Sequence, residues 1–254
     1  MALSNRKVDA LGERLRDSPT PAPEDLELLS EVLIEHNAAL QEVSERLSSL
    51  GYPATTRLKT SGTLIEKLRR ESHLTLKSIR DVAGARIVRP MTLDEQDEVA
   101  RRILELWPGA RLIDRRERPS HGYRAIHIVP TIGRCPVEIQ LRTLYQDTWA
   151  QIMESFGDRW GRAIRYGGEP DDPDGAVEGV DVTRADFVRM WKETADALYT
   201  LAQVENRIAR IKAGTAVDES ASAEGLQETV DSQFGLLRDL VRDIARALEG
   251  QRGG

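Results

Sequence analysis

The stretch Cys135-Pro136-Val137-Glu138-Ile139-Gln140-Leu141-Arg142-Thr143 decides the fold. Apolar and polar side chains alternate along it, and in a strand successive side chains point to opposite faces. The sequence therefore predicts a strand with one aliphatic face and one face carrying a carboxylate, an amide and a guanidinium. Taken alone, the polar face is more typical of an ordinary solvated surface of an antiparallel sheet.

Four further stretches, taken in order with this strand, favour a chemical role for the polar face. They are Arg57-Leu58-Lys59 with Thr63 and Lys67; Ile79-Arg80-Asp81-Val82-Ala83-Gly84-Ala85-Arg86-Ile87-Val88; His121-Gly122-Tyr123-Arg124-Ala125-Ile126-His127; and Arg142-Thr143 through Asp147 to Trp149-Ala150. Together they resemble the RelA/SpoT synthetase domain, especially that of small single-domain alarmone synthetases (GTP pyrophosphokinases) and related toxic enzymes. The resemblance covers about residues 50–166, and it is specific because five motifs occur in order.

The resemblance implies an enzyme that transfers the β,γ-pyrophosphate of ATP to the ribose 3′-hydroxyl of GDP or GTP, which makes the stringent-response alarmone (p)ppGpp. Asp81 and Glu138 match the family's catalytic carboxylates and Mg²⁺ ligands. Mg²⁺ usually takes one or two carboxylates together with phosphate oxygens. Glu138 is also the candidate acceptor for the proton of the 3′-hydroxyl.

The same resemblance assigns the two nucleotide sites. The residues that match the ATP site are Arg57, Lys59, Thr63, Lys67 and Arg86. Those that match the acceptor-nucleotide site are Tyr123, His127, Gln140, Arg142 and Arg124. Tyr123 is expected to stack on the acceptor base. Arg124 has less weight, because strand alternation from Tyr123 to His127 places it on the opposite face.

The pattern around Thr63 carries a separate structural prediction. Thr63 followed by Glu66 is typical of a capping box, so a helix is expected to begin near Thr63. Unpaired backbone N–H groups at a helix N-terminus favour phosphate binding. The alternative to phosphate binding is that this helix only presents a basic, solvated face.

Two departures from the family pattern leave the acceptor open. The loop at residues 115–120 lacks the Lys that relatives carry before their GYR motif, although Arg116 or Arg118 could substitute for it. Met153 and Glu154 occupy the approximate positions of a common Glu-His pair. A toxin of the same superfamily, which pyrophosphorylates the 3′ end of tRNA or makes an adenosine alarmone, therefore remains an alternative, as does a non-catalytic nucleotide-binding module.

The composition limits the binding partners and the cellular location that are expected for the protein. The formal net charge of −6 argues against a general nucleic-acid binder. The sequence has one cysteine, Cys135, so no intrachain disulfide is possible, which suits a reducing cytoplasm. No run of apolar residues is long enough for a membrane span, and the N-terminus lacks the apolar run of a signal peptide. A cytoplasmic protein without membrane contact is expected.

The resemblance implies an α+β fold, a mixed, nucleotidyltransferase-like sheet of about five strands flanked by helices. Helical periodicity adds helical extensions at both ends. The predicted segments are an N-terminal helical segment at 1–52, the synthetase domain at 53–166, a linker at 167–182 and C-terminal helices at 183–254. The C-terminal helices are candidates for a homo-oligomer or antitoxin contact. Neither a hydrolase half nor C-terminal regulatory domains are expected.

Overall fold

The computed structural model describes residues 4–178, 180–215 and 222–250. In these ranges its α-helices are α1 (Asn5–Asp17), α2 (Pro23–Ser49), α3 (Ser61–Arg70), α4 (Leu93–Leu106), α5 (Leu144–Trp160), α6 (Arg184–Lys212), α7 (Ala223–Thr229) and α8 (Gly235–Gly250). The strands are β1 (Thr55–Leu58), β2 (Ala83–Arg89), β3 (Arg111–Asp114), β4 (Ile126–Val129), β5 (Thr131–Ile132), β6 (Cys135–Thr143), β7 (Ala176–Val177) and β8 (Val180–Thr183). None of the described helices has the length and apolar character needed to cross a membrane.

The main sheet confirms the predicted α+β class. Five strands follow the order β1-β2-β6-β4-β3, and the short β5 pairs with β6 as a sixth strand. The decisive stretch forms β6 with the predicted alternation: Val137, Ile139 and Leu141 are fully buried. β1 pairs antiparallel with β2, so that Arg57 lies opposite Gly84.

The chain divides into two compact units. The first contains the described residues up to Ile87, Ala100–Ile113 and His127–Leu141; the second contains Val88–Val99, Asp114–Ile126 and the described residues from Arg142 onward. Each unit is built from three separate stretches of the chain, whereas the predicted segments follow one another along the sequence. The boundaries of those segments remain predictions.

In the first unit, α1 packs into the same core as α3. Val8, Leu11 and Leu15 are buried together with Leu64 and Leu68. A side chain on Gly12 would bring a Cβ within 2.8 Å of the Leu76 Cβ, so a small residue is needed where α1 meets the segment after α3. The N-terminal helix is therefore part of this unit's core.

In the second unit, aromatic side chains join α5 to α6. Phe156 stacks on Trp160 at a centroid distance of 5.1 Å, and both meet Phe187 of α6 edge-on. Buried Val188 and Leu198 extend this cluster along α6. The predicted C-terminal helix α6 thus covers α5 within the unit.

Three local expectations need correction. Thr60, not Thr63, caps α3: the Thr60 hydroxyl accepts from the Thr63 backbone N–H at 3.3 Å. The strand with His127 begins at Ile126, so alternation does not extend back to Tyr123. The expected linker contains the β7–β8 hairpin. The last helical stretch begins at Ala223 and is interrupted by a π-helical turn, Val230–Phe234. In the predicted C-terminal segment, residues 216–221 and 251–254 lie outside the described residues.

Candidate active site

The first unit gathers the two proposed catalytic carboxylates around one lysine. Lys67 of α3 donates to Asp81 at 2.9 Å, and Lys59 lies 3.3 Å from the other Asp81 oxygen. The Lys67 charge also acts on Glu138, where it lowers the pKa of the carboxyl group. We call Lys59, Lys67, Asp81 and Glu138 the carboxylate–lysine cluster.

Glu138 is held in its ionised form. Burial acts to raise its pKa, but hydrogen bonds from His127 and Gln140, with the Lys67 charge, outweigh burial and lower the pKa to about 2. The Gln140 amide donates to Glu138 at 2.8 Å, and the His127 Nδ1 lies 3.1 Å from the other carboxylate oxygen. At neutral pH the cluster therefore presents a fixed, negatively charged oxygen donor.

The predicted phosphate-binding residues lie at the edge of the same sheet. Thr55 lies opposite Arg86 and Arg57 lies opposite Gly84, so Arg57 and Arg86 share one face of the β1–β2 ladder. Gly84 also lies beside the Glu138 backbone carbonyl, since a Cβ there would be 3.7 Å from that oxygen. Arg57 is exposed, as a residue that meets a soluble nucleotide must be.

The donor set fits Mg²⁺ by its chemistry. Asp81 and Glu138 supply hard carboxylate oxygens, and their side chains are 31% and 16% exposed, so a ligand can reach both. In the described part of the chain, no group of three or more His, Cys, Asp or Glu side chains could form a metal site. A divalent ion here would need ligands from phosphate or water, as is usual for Mg²⁺.

Tyr123 and Arg142 form a different arrangement in the second unit. Arg142 donates to the Tyr123 hydroxyl at 3.0 Å and lies over its ring at 5.0 Å from the centroid. Arg142 also donates to Asp147 at 2.9 Å, and these two side chains are only 2% and 5% exposed. Burial acts to lower the Arg142 pKa, but Tyr123 and the carboxylates of Asp147 and Glu154 raise it. Arg142 is placed to hold Tyr123 rather than to reach a ligand.

A tight turn presents Tyr123. His121 and Gly122 both have positive φ, 52° and 89°, and Ser120 bridges Tyr123 across them. Two positive φ values in a two-residue connection are typical of a type I′ turn. A Cβ at Gly122 would lie 2.7 Å from the Trp149 ring, so glycine is needed for space as well as for conformation.

Arg124 and Arg116 are bound to other residues of this unit. Arg124 donates to Asp196 of α6 at 2.5 Å and to the Arg116 carbonyl, and it lies over the Tyr199 ring. Arg116 bridges Asp114 and Asp97. Both arginines fasten the 115–120 loop, whereas Arg118 is exposed. Sequence reasoning missed Asp196 and Tyr199, for which no spacing rule gave a signal.

The fold is that of small alarmone synthetases. Small alarmone synthetase 1 from Bacillus subtilis superposes with a TM-score of 0.54 at 21% identity, covering 75% of this chain and 100% of that one. Small alarmone synthetase 2 from the same organism gives 0.53 at 19% identity, covering 71% and 97%. At these identities the likeness concerns the fold.

Residues 56–156 match the model of the region found in RelA and SpoT proteins. The match identifies residues 56–156 as a region of the RelA/SpoT type. It is also 38% identical over 175 residues to an uncharacterised protein of Mycobacterium tuberculosis and to one of Mycobacterium bovis. That alignment covers 66% of this chain and 64% of each relative's length.

Proposed function

We propose that the protein is a pyrophosphokinase that transfers the β,γ-pyrophosphate of ATP to the ribose 3′-hydroxyl of GDP or GTP. The observation that carries the proposal is the carboxylate–lysine cluster. In it, Lys67 donates to Asp81, and the Lys67 charge lowers the pKa of Glu138. Two cations beside two carboxylates suit a site that binds a metal–triphosphate complex, because both ligand components find opposite charge.

Asp81 and Glu138 would hold Mg²⁺, which when bound supplies charge neutralisation for the donor phosphates. Lys59, Lys67, Arg57 and Arg86 would contact the triphosphate, with Thr63 in the first turn of α3. Catalysis of this kind depends on positioning and electrostatic stabilisation.

The low pKa of Glu138 bears on its second role. A general base works best when its pKa is near the working pH, and a value of about 2 makes Glu138 a weak base. We therefore assign Glu138 chiefly to metal binding and to orienting the 3′-hydroxyl. His127 and Gln140 fix its orientation through their hydrogen bonds.

Tyr123 would stack on the acceptor base. Arg142, itself bound to Asp147, would hold the Tyr123 ring in position. Arg142 is thus a positioning residue in this proposal. Small alarmone synthetase 1 from Bacillus subtilis, which shares the fold at a TM-score of 0.51 in that structure, is described bound to its product pppGpp. That likeness supports a guanine nucleotide as the acceptor here.

The test is incubation with γ-labelled ATP, Mg²⁺ and one of four acceptors: GDP, GTP, ADP or bulk tRNA. Label on GDP or GTP, little changed by moderate salt, is expected. Transfer to tRNA alone, weakening steeply as salt rises, would instead identify a tRNA-modifying toxin, because phosphate contacts to RNA are strongly salt-dependent. Transfer to ADP alone would identify an adenosine alarmone synthetase.

A further inference from the structure

The chain from 115 to 125, which contains Tyr123, is closed by its own backbone. The Arg115 N–H donates to the Ala125 carbonyl at 3.0 Å and joins the two ends of this segment. Ser120 and Tyr123 exchange backbone hydrogen bonds of 3.2 and 3.0 Å at its tip. We call residues 115–125 the Tyr123 loop. Because these bonds lie within the loop, its place on the rest of the second unit depends on its other contacts.

Arg124 joins the Tyr123 loop to α6. Its guanidinium donates to the Arg116 carbonyl, near the start of the loop, and to the Asp196 carboxylate of α6 at 2.5 Å. It also lies over the Tyr199 ring at 4.3 Å from the centroid. Asp196 and Tyr199 are three residues apart, so they share one face of α6. One guanidinium therefore connects the loop with that face of the helix.

The two ends of the Arg124–Asp196 ion pair lie in different surroundings. The Arg124 side chain is 10% exposed, whereas the Asp196 side chain is 82% exposed. A buried charge depends on its partner more than an exposed charge does, because water solvates the exposed group. Ion pairs with exposed groups contribute little to global stability. Removal of the Asp196 carboxylate should therefore loosen the loop at Arg124 while the unit stays folded.

The turn that presents Tyr123 contacts the same part of α6. A Cβ at Gly122 would lie 3.2 Å from the Ala195 Cβ, and Ala195 directly precedes Asp196 in the chain. Gly122 directly precedes Tyr123, so a shift of the loop relative to α6 would displace the Tyr123 ring. The bond from Arg124 to Asp196 thus helps to determine where that ring lies.

We propose that Asp196 is a positioning residue for the acceptor nucleotide: through Arg124, its carboxylate holds the Tyr123 loop against α6. The assignment rests on the proposed function, in which Tyr123 stacks on the acceptor base. Asp196 lies outside residues 56–156, the region that matches RelA and SpoT proteins. The proposal therefore makes α6, a helix beyond that region, part of the support of the acceptor site. It assigns Arg124 to holding the loop instead of to direct contact with the nucleotide.

Steady-state kinetics of Asp196→Ala, with GDP and ATP varied in turn, test the proposal. The KM for GDP should rise by about 5-fold, as expected from the loss of one partly exposed ion pair, while kcat and the KM for ATP stay within about 2-fold of the wild-type values. Asp196→Glu keeps the charge and should restore most of the affinity for GDP. Glu193→Ala, which removes an exposed acid three residues earlier on α6, is the matched control and should keep the wild-type constants.

Limited proteolysis with trypsin measures the state of the loop independently of the reaction. Trypsin cleaves after Arg116, at the peptide bond whose carbonyl accepts from Arg124. Cleavage there should be about 5-fold faster in Asp196→Ala than in the wild-type protein or in Glu193→Ala, at an unchanged melting temperature. If cleavage is faster but the wild-type protein has no turnover, the proposed function fails and the contact that holds the loop stands. Unchanged cleavage, an unchanged KM for GDP in an active enzyme, or an equal rise of the KM values for GDP and ATP overturns the assignment.

Discussion

Lys67 and Asp81 form an ion pair at 2.9 Å, and the charge of the same lysine also lowers the pKa of Glu138. The Lys67 amine thus interacts electrostatically with both carboxylates that we assign to Mg²⁺. Because the Asp81 side chain is 31% exposed, incoming phosphate and metal can reach the pair. We expect the lysines to turn from Asp81 to the triphosphate when the metal–nucleotide complex binds.

Replacing Lys67 should weaken ATP binding more than acceptor binding. Lys67→Ala removes a cation that faces Asp81 directly, so the KM for ATP should rise by about 10-fold, while the KM for GDP changes less. Steady-state kinetics with each substrate varied in turn measure both values. Lys7→Ala, an exposed lysine on α1, is the control and should leave both constants as in the wild-type protein. A larger effect on GDP than on ATP would contradict the donor assignment.

Removing either carboxylate should abolish turnover without unfolding the protein. Asp81→Asn and Glu138→Gln keep size and polarity but remove the charge that a divalent ion requires. Activity assays should show a loss of at least about 100-fold for each variant. The control, Glu24→Gln at the start of α2, should keep the wild-type activity. Wild-type rates in either carboxylate variant, at unchanged melting temperature, would refute the metal assignment.

Glu138 should make stability depend on pH in the acid range. Its pKa in the folded protein, about 2, is below the ordinary value of 4.5, so the native state favours the ionised form. The resulting stabilisation is present above about pH 4.5 and is lost as the pH falls toward 2; its upper bound is about 3 kcal/mol.

Urea unfolding of the wild-type protein and of Glu138→Gln between pH 7 and 2.5 isolates this contribution. The difference in unfolding free energy between the two proteins should shrink as the pH falls below about 4.5. A difference that stays constant over the whole range would show that the hydrogen bonds from His127 and Gln140 do not lower the Glu138 pKa.

The buried pair Arg142–Asp147 should behave as a coupled unit. Asp147→Asn or Arg142→Met removes the ion-pair partner of a buried charge, at about 3–5 kcal/mol of unfolding free energy for each variant. The double variant should lose less than the sum of the single losses, because neither charge of the pair is left without the other. Chemical denaturation of all four proteins measures the coupling, and simple additivity would show that the two side chains do not depend on each other.

Much of the fold was predictable because local rules decided it. The alternation of apolar and polar residues predicted β6, which the structure contains at Cys135–Thr143. The cap of α3 was misassigned because Thr60 and Thr63 both satisfy the residue preference, and the backbone conformation that selects Thr60 is not visible in sequence.

The candidate site was predictable in its residue types but less so in its contacts. Sequence could not show that Arg142 is buried against Asp147 or that Arg124 turns to Asp196, since both depend on packing between distant segments. Strand alternation failed at Tyr123 because the turn at His121-Gly122 reverses the chain there.

The most direct test of the central claim is the stoichiometry of ³¹P NMR spectra recorded while ATP, GDP and Mg²⁺ react with the protein. Pyrophosphate transfer breaks the bond between the α- and β-phosphates, so one AMP should appear for each GDP consumed, together with new resonances from a 3′-pyrophosphate. The signals should be absent with Glu138→Gln. Formation of ADP or free phosphate in place of AMP, or AMP without loss of GDP, would contradict the claim.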